Sequence, residues 1–363
     1  MIPQTMHAVH LTGHGGLEKL EYRTDVAVPV PTSDDVLIRV LAAGVNNTDI
    51  NTRIGWYSKS VTTDTDAGGA GGFDGVNEED ATWSGEALQL PRIQGADICG
   101  EIVAVGEGGD ASRIGQRVIV RNMQRHHAED RPFECLTIGS EIDGGFAQYC
   151  VARSDETHAV NCDWDDIELA AIPCAYSTAE NMLHRANLGA ETVLITGASG
   201  GVGSAAVQLA KRRGATVIAL SSASKADAVK ALGADRVLDR NADLVAELGE
   251  GTIDVVVDLV AGEKWPSLLD VLRRGGRYAT AGAIAGPICE IDIRTLYLKD
   301  LTLFGCTFQE DVVFENLVKY IEAGEIRPVV AGTYPLSDIA RAQEDFLTKK
   351  HTGQLVLIPP QDS

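Results

Sequence analysis

The sequence predicts an α/β chain in which a β-rich unit is followed by a doubly wound parallel sheet. Three observations carry that prediction. Early residues alternate apolar and polar positions, as in Val36-Leu37-Ile38-Arg39-Val40, a half-buried strand pattern. From about residue 165 the rhythm changes to helices of ten or more residues between short, fully apolar strands. Within that second region, VLITGASGGVGSAAVQLAKRRGATVIAL spells a buried strand, a glycine turn, a helix and another strand.

Taken in order, the first 55 residues are short strands punctuated by Pro29, Pro31 and Gly44. Residues 58–90 (TTDTDAGGAGGFDGVNEED at their centre) show no period of 2 or 3.6, which predicts a surface loop or insertion. Strands resume at Ile102 to Gly106, Arg117 to Val120 and Phe146 to Val151. The parallel sheet is expected to use Thr192 to Thr196, Thr216 to Leu220, Ile253 to Leu259 and Arg277 to Ala281, with a helix over Gly203 to Arg213. Near residue 335 mixed short elements return and end in the strand Gln354 to Ile358. Domain limits of 1–158, 159–315 and 316–363 follow, the last segment rejoining the first.

Composition narrows the function classes. With 363 residues, 44% hydrophobic and 23% charged, the chain can bury two cores. No apolar run reaches the ~18 residues of a membrane helix. The start, MIPQTMHAVHLTG, lacks the basic flank and apolar core of a signal peptide, so a cytoplasmic protein without a membrane partner is expected. The net charge of −21 argues against nucleic acid. Seven scattered cysteines (Cys99, Cys135, Cys150, Cys162, Cys174, Cys289, Cys306) with no C-x-x-C argue against a disulfide framework.

The glycine turn is the strongest local signal, and it points to a dinucleotide. Gly200 and Gly201 let backbone approach a pyrophosphate, Gly203 lets the helix pack on the strand, and N–H groups at the helix start face the anion; Ala198, Ser199 and Val202 complete the turn. An NAD-preferring enzyme places a carboxylate at the end of the second strand. Here Ser221 and Ser222 stand there, with Lys225 close by and Arg240 after the next strand, a set that favours the 2′-phosphate of NADPH over NADH.

Over its full length the chain resembles the medium-chain dehydrogenase/reductase superfamily. The matches include LAAGVNNTDINTRIGWY, LPRIQGADICGEIVAVGEG, IGQRV, GGFAQY, AIPCAYSTA and HTGQLVL besides GASGGVG. The resemblance implies a GroES-like catalytic domain, a Rossmann domain, a nicotinamide held between them and a homodimer. It also implies where zinc would sit in the alcohol dehydrogenases of that superfamily. Those positions are Asn46, the pair Ala96-Asp97 and Cys174, and an amide and a methyl do not replace thiolate and imidazole. In the lobe, His126, His127 and Cys135 form only a weak ligand set. Loss of the metal with retention of GVN and G-x-D is the pattern of the quinone oxidoreductase-like branch, so no catalytic zinc is expected.

That branch implies hydride transfer from NADPH to a small-molecule quinone, enone or enoyl thioester, with the negative charge left on oxygen met by hydrogen bonds or a proton. Asn46, Thr48 and Tyr57 are the expected donors, Tyr57 by resemblance to the proton donor of enoyl thioester reductases. Tyr176 and Thr178 are expected beside the nicotinamide, and Cys174 as an inert thiol. A metal-free alcohol dehydrogenase and a non-catalytic NADPH-binding protein remain alternatives. The segment between Asn46 and Ala96 exceeds the family's by roughly 30 residues, so residues 60–88 are expected to form a lid or an oligomer contact.

Overall fold

The computed structural model describes residues 1–125, 131 and 133–361. The chain divides into two compact units. One comprises Met1–Val61, Gly68–Cys174 and Val318–Ser363; the other comprises Thr62–Ala67 and Ala175–Leu317. No helix among the described residues is long and apolar enough to cross a membrane.

The first unit is built on the strand Asp35–Val45. It pairs antiparallel with Cys99–Val105, with Tyr149–Arg153 and with the C-terminal strand Gln354–Ile358. Because neighbours claim both of its edges, it is buried at almost every residue, including Ile38, Val40, Ala43 and Val45 at 0% exposure. The sheet continues through Arg117–Val120 and Thr157–Ala159 on one side and Val330–Pro335 on the other. A smaller sheet joins Leu20–Ala27, Thr5–Leu11 and Arg92–Ile93. The strand expected from Phe146 starts at Tyr149 instead. Phe146 N–H donates to Gln94 O and Gln148 N–H to His7 O (both 2.9 Å), so this stretch bridges other segments before it joins the ladder.

The second unit holds six parallel strands. Numbered along the chain they are Thr192–Ile195, Thr216–Ser221, Arg236–Asp239, Ile253–Asp258, Leu272–Thr280 and Thr302–Gly305, lying in the order 3-2-1-4-5-6. That is the order of dinucleotide-binding sheets, and it places the switch point between Thr192–Ile195 and Ile253–Asp258. Val193, Leu194, Val255 and Val256 are wholly buried, as fully apolar strands covered on both faces must be. The helix begins at Gly201, two residues before its expected start, because Gly200 is already its N-cap. The edge strand Thr302–Gly305 is only four residues long and carries too little pattern to be read from sequence.

Candidate active site

In the first unit the site grows from the turn between Asp35–Val45 and the helix Asn47–Ile54. Asn46 caps that helix, and Asp49 at its third position reaches back to accept Asn46 N–H (2.8 Å) while also accepting Gly95 N–H (3.1 Å). Burial pushes the Asp49 carboxyl up to about 7, against these backbone donors. The Asn46 side chain turns the other way. Its amide nitrogen donates to Asp97 Oδ2 (2.7 Å), and its oxygen accepts from Gln354 Nε2 (2.8 Å). Asp97 also accepts Cys174 N–H (2.5 Å), and burial raises its carboxyl to about 6. Gly44 is required here, since a Cβ on it would lie 2.3 Å from Asp97 Oδ2.

The Asn46 amide, expected among the substrate donors, gives one of its two hydrogens to Asp97 and accepts from Gln354 with its oxygen. The same contacts test whether zinc fits. Asn46 has spent its oxygen on Gln354, Ala96 is a buried methyl, and Cys174 alone offers a soft donor, so these residues do not form a zinc ligand set. His126 and His127 lie outside the described residues. Cys135 places its thiol 3.8 Å from Met123 Sδ, with its pKa pushed up to about 11 by burial.

Thr48 and Asn51 lie three residues apart on one helix, hence on one face. The helix ends at Gly55, and Tyr57 follows within two residues. Burial pushes the Tyr57 phenol up to about 12, against the pull of hydrogen bonds from Thr48, Asn51 and Trp83. Tyr57 meets Trp56 and Trp83 edge-on, each at 5.8 Å between ring centroids. Trp83 Nε1 donates to Thr48 Oγ1 (2.8 Å). Thr48 and Tyr57, both expected from the sequence as donors, lie side by side. Sequence reasoning missed Trp83, because the insertion has no period from which a contact could be read.

In the second unit the turn expected to cradle a dinucleotide lies at the carboxyl ends of the switch-point strands. Gly203 is buried, and a Cβ there would sit 2.2 Å from Gly197 O, so only glycine lets the helix pack this closely on the turn. Ala198 is buried with its N–H on Leu220 O (3.1 Å), while Ser199, Gly200, Gly201 and Val202 remain accessible and leave first-turn N–H groups for an anion. Ser221 ends its strand buried with Oγ unpartnered, and Ser222 donates to or accepts from Ser224 (3.2 Å). Lys225 follows on the next turn. Arg240 is exposed, its N–H on Ser221 O (2.9 Å), and the exposed Asp239 is the register partner of Ser221. These residues fit a nicotinamide dinucleotide, whose pyrophosphate the helix start and glycine turn would hold.

Thr178 lies partly exposed on the helix Pro173–Arg185, whereas Tyr176 is buried with its hydroxyl accepting from Gln208 (2.9 Å). One further residue at the switch point carries no local signal in the sequence. Asp258, wholly buried, accepts from Thr196 Oγ1 (2.6 Å), Tyr278 OH (2.6 Å) and Val260 N–H (2.9 Å). It ties three adjacent strands together where a ligand crevice opens in such sheets.

Comparisons with known proteins agree with this geometry. A zinc-binding dehydrogenase family model matches residues 201–323, and a model of the GroES-like domain of alcohol dehydrogenases matches residues 72–162. A quinone oxidoreductase from Lama guanicoe is 31% identical, with 97% of each chain covered. An NADPH-dependent alkenal/one oxidoreductase from Arabidopsis thaliana is 28% identical over 99% of this chain and 81% of its own. A solved structure from Sinorhizobium meliloti 1021, provisionally assigned as an alcohol dehydrogenase, is 47% identical with a TM-score of 0.87, covering 99% of this chain and 98% of that one. The chain therefore belongs to the medium-chain dehydrogenase/reductase superfamily, in its quinone oxidoreductase-like branch, and is an NAD(P)H-dependent oxidoreductase.

Proposed function

We propose that this protein is a zinc-independent, NADPH-dependent reductase of quinones or α,β-unsaturated carbonyls. The observation that carries the reading is the pairing of Thr48 and Tyr57 beside a former metal position whose Asn46 is occupied by Asp97 and Gln354. The dinucleotide, when bound, supplies the hydride. The chain's part is to hold the acceptor's oxygen and manage one proton. Hydride addition at the β-carbon of an enone shifts the C=C π pair into a bond between the α-carbon and the carbonyl carbon and the C=O π pair onto oxygen, leaving an enolate that takes up one proton. The Thr48 hydroxyl and the Tyr57 phenol are the donors that would stabilise that oxygen, and water would restore any proton they give.

The names of the Lama and Arabidopsis relatives support a conjugated or quinoid acceptor, and the latter also supports NADPH. Ser221, Ser222, Lys225 and Arg240 support the same cofactor, since the strand end before them carries hydroxyls where an NAD-preferring site carries a carboxylate. Turnover of an activated alkene or quinone by chelator-treated protein, faster with NADPH than NADH, is the expected result. The absorbance of reduced nicotinamide reports it. Activity on aldehydes or alcohols alone, and only after zinc is restored, would establish the alcohol dehydrogenase reading that the Sinorhizobium neighbour favours. Binding of NADPH without turnover of any acceptor would leave a binding protein.

The same reading includes a homodimer. The Thr302–Gly305 edge of the six-stranded sheet is exposed at Leu303, and the adjoining helix Ile293–Leu298 buries none of its residues. Ile293, Tyr297 and Leu298 are 57%, 59% and 54% exposed, an apolar face beside an open sheet edge of the kind that association covers. Light scattering should return twice the 38.6 kDa of one chain, and Leu303→Lys should lower it; a wild-type mass of one chain overturns the dimer. The seven thiols, none in a disulfide, fit a reducing compartment such as the cytoplasm.

A further inference from the structure

We propose that Trp83, supplied by the 58–90 insertion, is a positioning residue that fixes the direction of the Thr48 hydroxyl so that its single proton is presented to the substrate's carbonyl oxygen. The inference rests on the reductase reading above and adds a residue and a role to it.

The argument starts from donor and acceptor inventories. An indole N–H donates and cannot accept, whereas a threonine hydroxyl carries one hydrogen and can do both. With Trp83 Nε1 at 2.8 Å, Thr48 Oγ1 is the acceptor in that bond. Its own hydrogen therefore points away from the indole, towards the Tyr57 oxygen or a substrate carbonyl that takes its place there. A hydroxyl that already accepts a bond also donates more strongly, because each dipole in such a chain polarises the next. Trp83 thus does two things for a developing negative charge: it orients the Thr48 O–H and strengthens it. Both effects are in place before the charge forms, which is what makes a donor useful in a transition state.

The insertion holds the indole firmly enough for this. Trp83 opens a tight turn in which Thr82 N–H donates to Glu86 O (3.2 Å), Thr82 Oγ1 accepts from Glu86 N–H (3.1 Å), and Thr82 itself is 4% exposed. The next residue is clamped as well. Ser84 N–H donates to Glu141 Oε1 (3.0 Å), whose other oxygen accepts Thr137 N–H (2.9 Å). The Trp83 ring meets Tyr57 edge-on at 62° and the Trp56 ring meets it at 72°, so two indoles pack against the phenol ring. Aromatic walls beside two hydroxyls suit a flat, conjugated carbonyl better than a bulky saturated one.

The test uses full-length protein and the conjugated acceptor that wild type reduces. Trp83→Phe keeps an aromatic ring and removes the N–H. It should lower kcat about tenfold with KM changed less than about twofold, the signature of an interaction made in the transition state. In a Thr48→Val background the same substitution should add nothing, because the bond it removes is already gone. Unchanged kcat in Trp83→Phe, or effects of the two substitutions that multiply, would overturn the assignment. A second readout does not depend on activity or on the Trp83 variant folding. One of the four indole N–H resonances of the 15N-labelled protein should move when Thr48 becomes Val, and four unmoved resonances would show that the bond is absent. Wild type that reduces no acceptor would refute the reductase reading instead, while the resonance shift would still report on the bond.

Discussion

Tyr57→Phe is expected to lower kcat/KM for a conjugated acceptor about a hundredfold, the low end of what a positioned proton donor contributes, and to leave NADPH affinity unchanged. The reason is local. The phenol stands among Thr48, Asn51 and Trp83, and burial pushes its pKa up to about 12. It therefore stays protonated through the working range and is a donor throughout. The alkaline limb of the wild-type pH profile should consequently show no break from this group short of about 12. Steady-state kinetics of the variant, with fluorescence titration of NADPH, check both parts. A rate within about twofold of wild type would leave Tyr57 as pocket lining, since loss of a transition-state donor cannot be that small.

Arg53→Met is expected to cost about 3 kcal/mol of folding stability, a larger loss than most single substitutions produce. Arg53 is wholly buried, yet its hydrogen bonds go to neutral oxygens. It donates to Gln343 Oε1 (2.8 Å), Gly15 O (2.7 Å) and Gly69 O (3.2 Å). Desolvation lowers its pKa to about 10, which still leaves it charged at neutral pH. Methionine would fill much of the space but leave three acceptors without their donor, one on the wholly buried Gln343 and two on the half-buried Gly15 and Gly69, each worth about 1 kcal/mol when left unpaired. The loss should be felt well beyond residue 53, since the one guanidinium joins the Gly15 turn, the insertion at Gly69 and the helix Ile339–Leu347. Urea unfolding at neutral pH measures it. A change below about 1 kcal/mol would mean that water takes over these carbonyls and that the insertion does not depend on this side chain.

The insertion itself shows the limit of reading a chain locally. Residues 58–90 have no apolar period, and a surface loop was the reading that composition allowed. In the structure Val61, Thr65, Ala81, Thr82 and Leu88 are buried, and Thr65 N–H bonds to Ile284 O (3.1 Å). Parts of the insertion answer to separate neighbours, Gly69 to Arg53 and Ser84 to Glu141, rather than to one face of a helix or strand. Irregular segments satisfy their backbone groups with distant partners, and no periodicity records which ones.

The dinucleotide unit was legible for the opposite reason. Buried parallel strands must be apolar throughout, and a turn that crowds Gly203 against Gly197 O admits no side chain, so both features are written into consecutive residues. Thr48, Asn46 and Tyr57 were likewise within reach of a short motif. Their partners were not. Asn46 meets Asp97 across 51 residues and Gln354 across 308, Thr48 meets Trp83 across 35, and Thr196 meets Asp258 across 62. Residue chemistry and short spacing specify what a side chain can donate or accept. Which donor finds which acceptor depends on strand register and loop closure, and these bring together groups whose separation along the chain carries no signal.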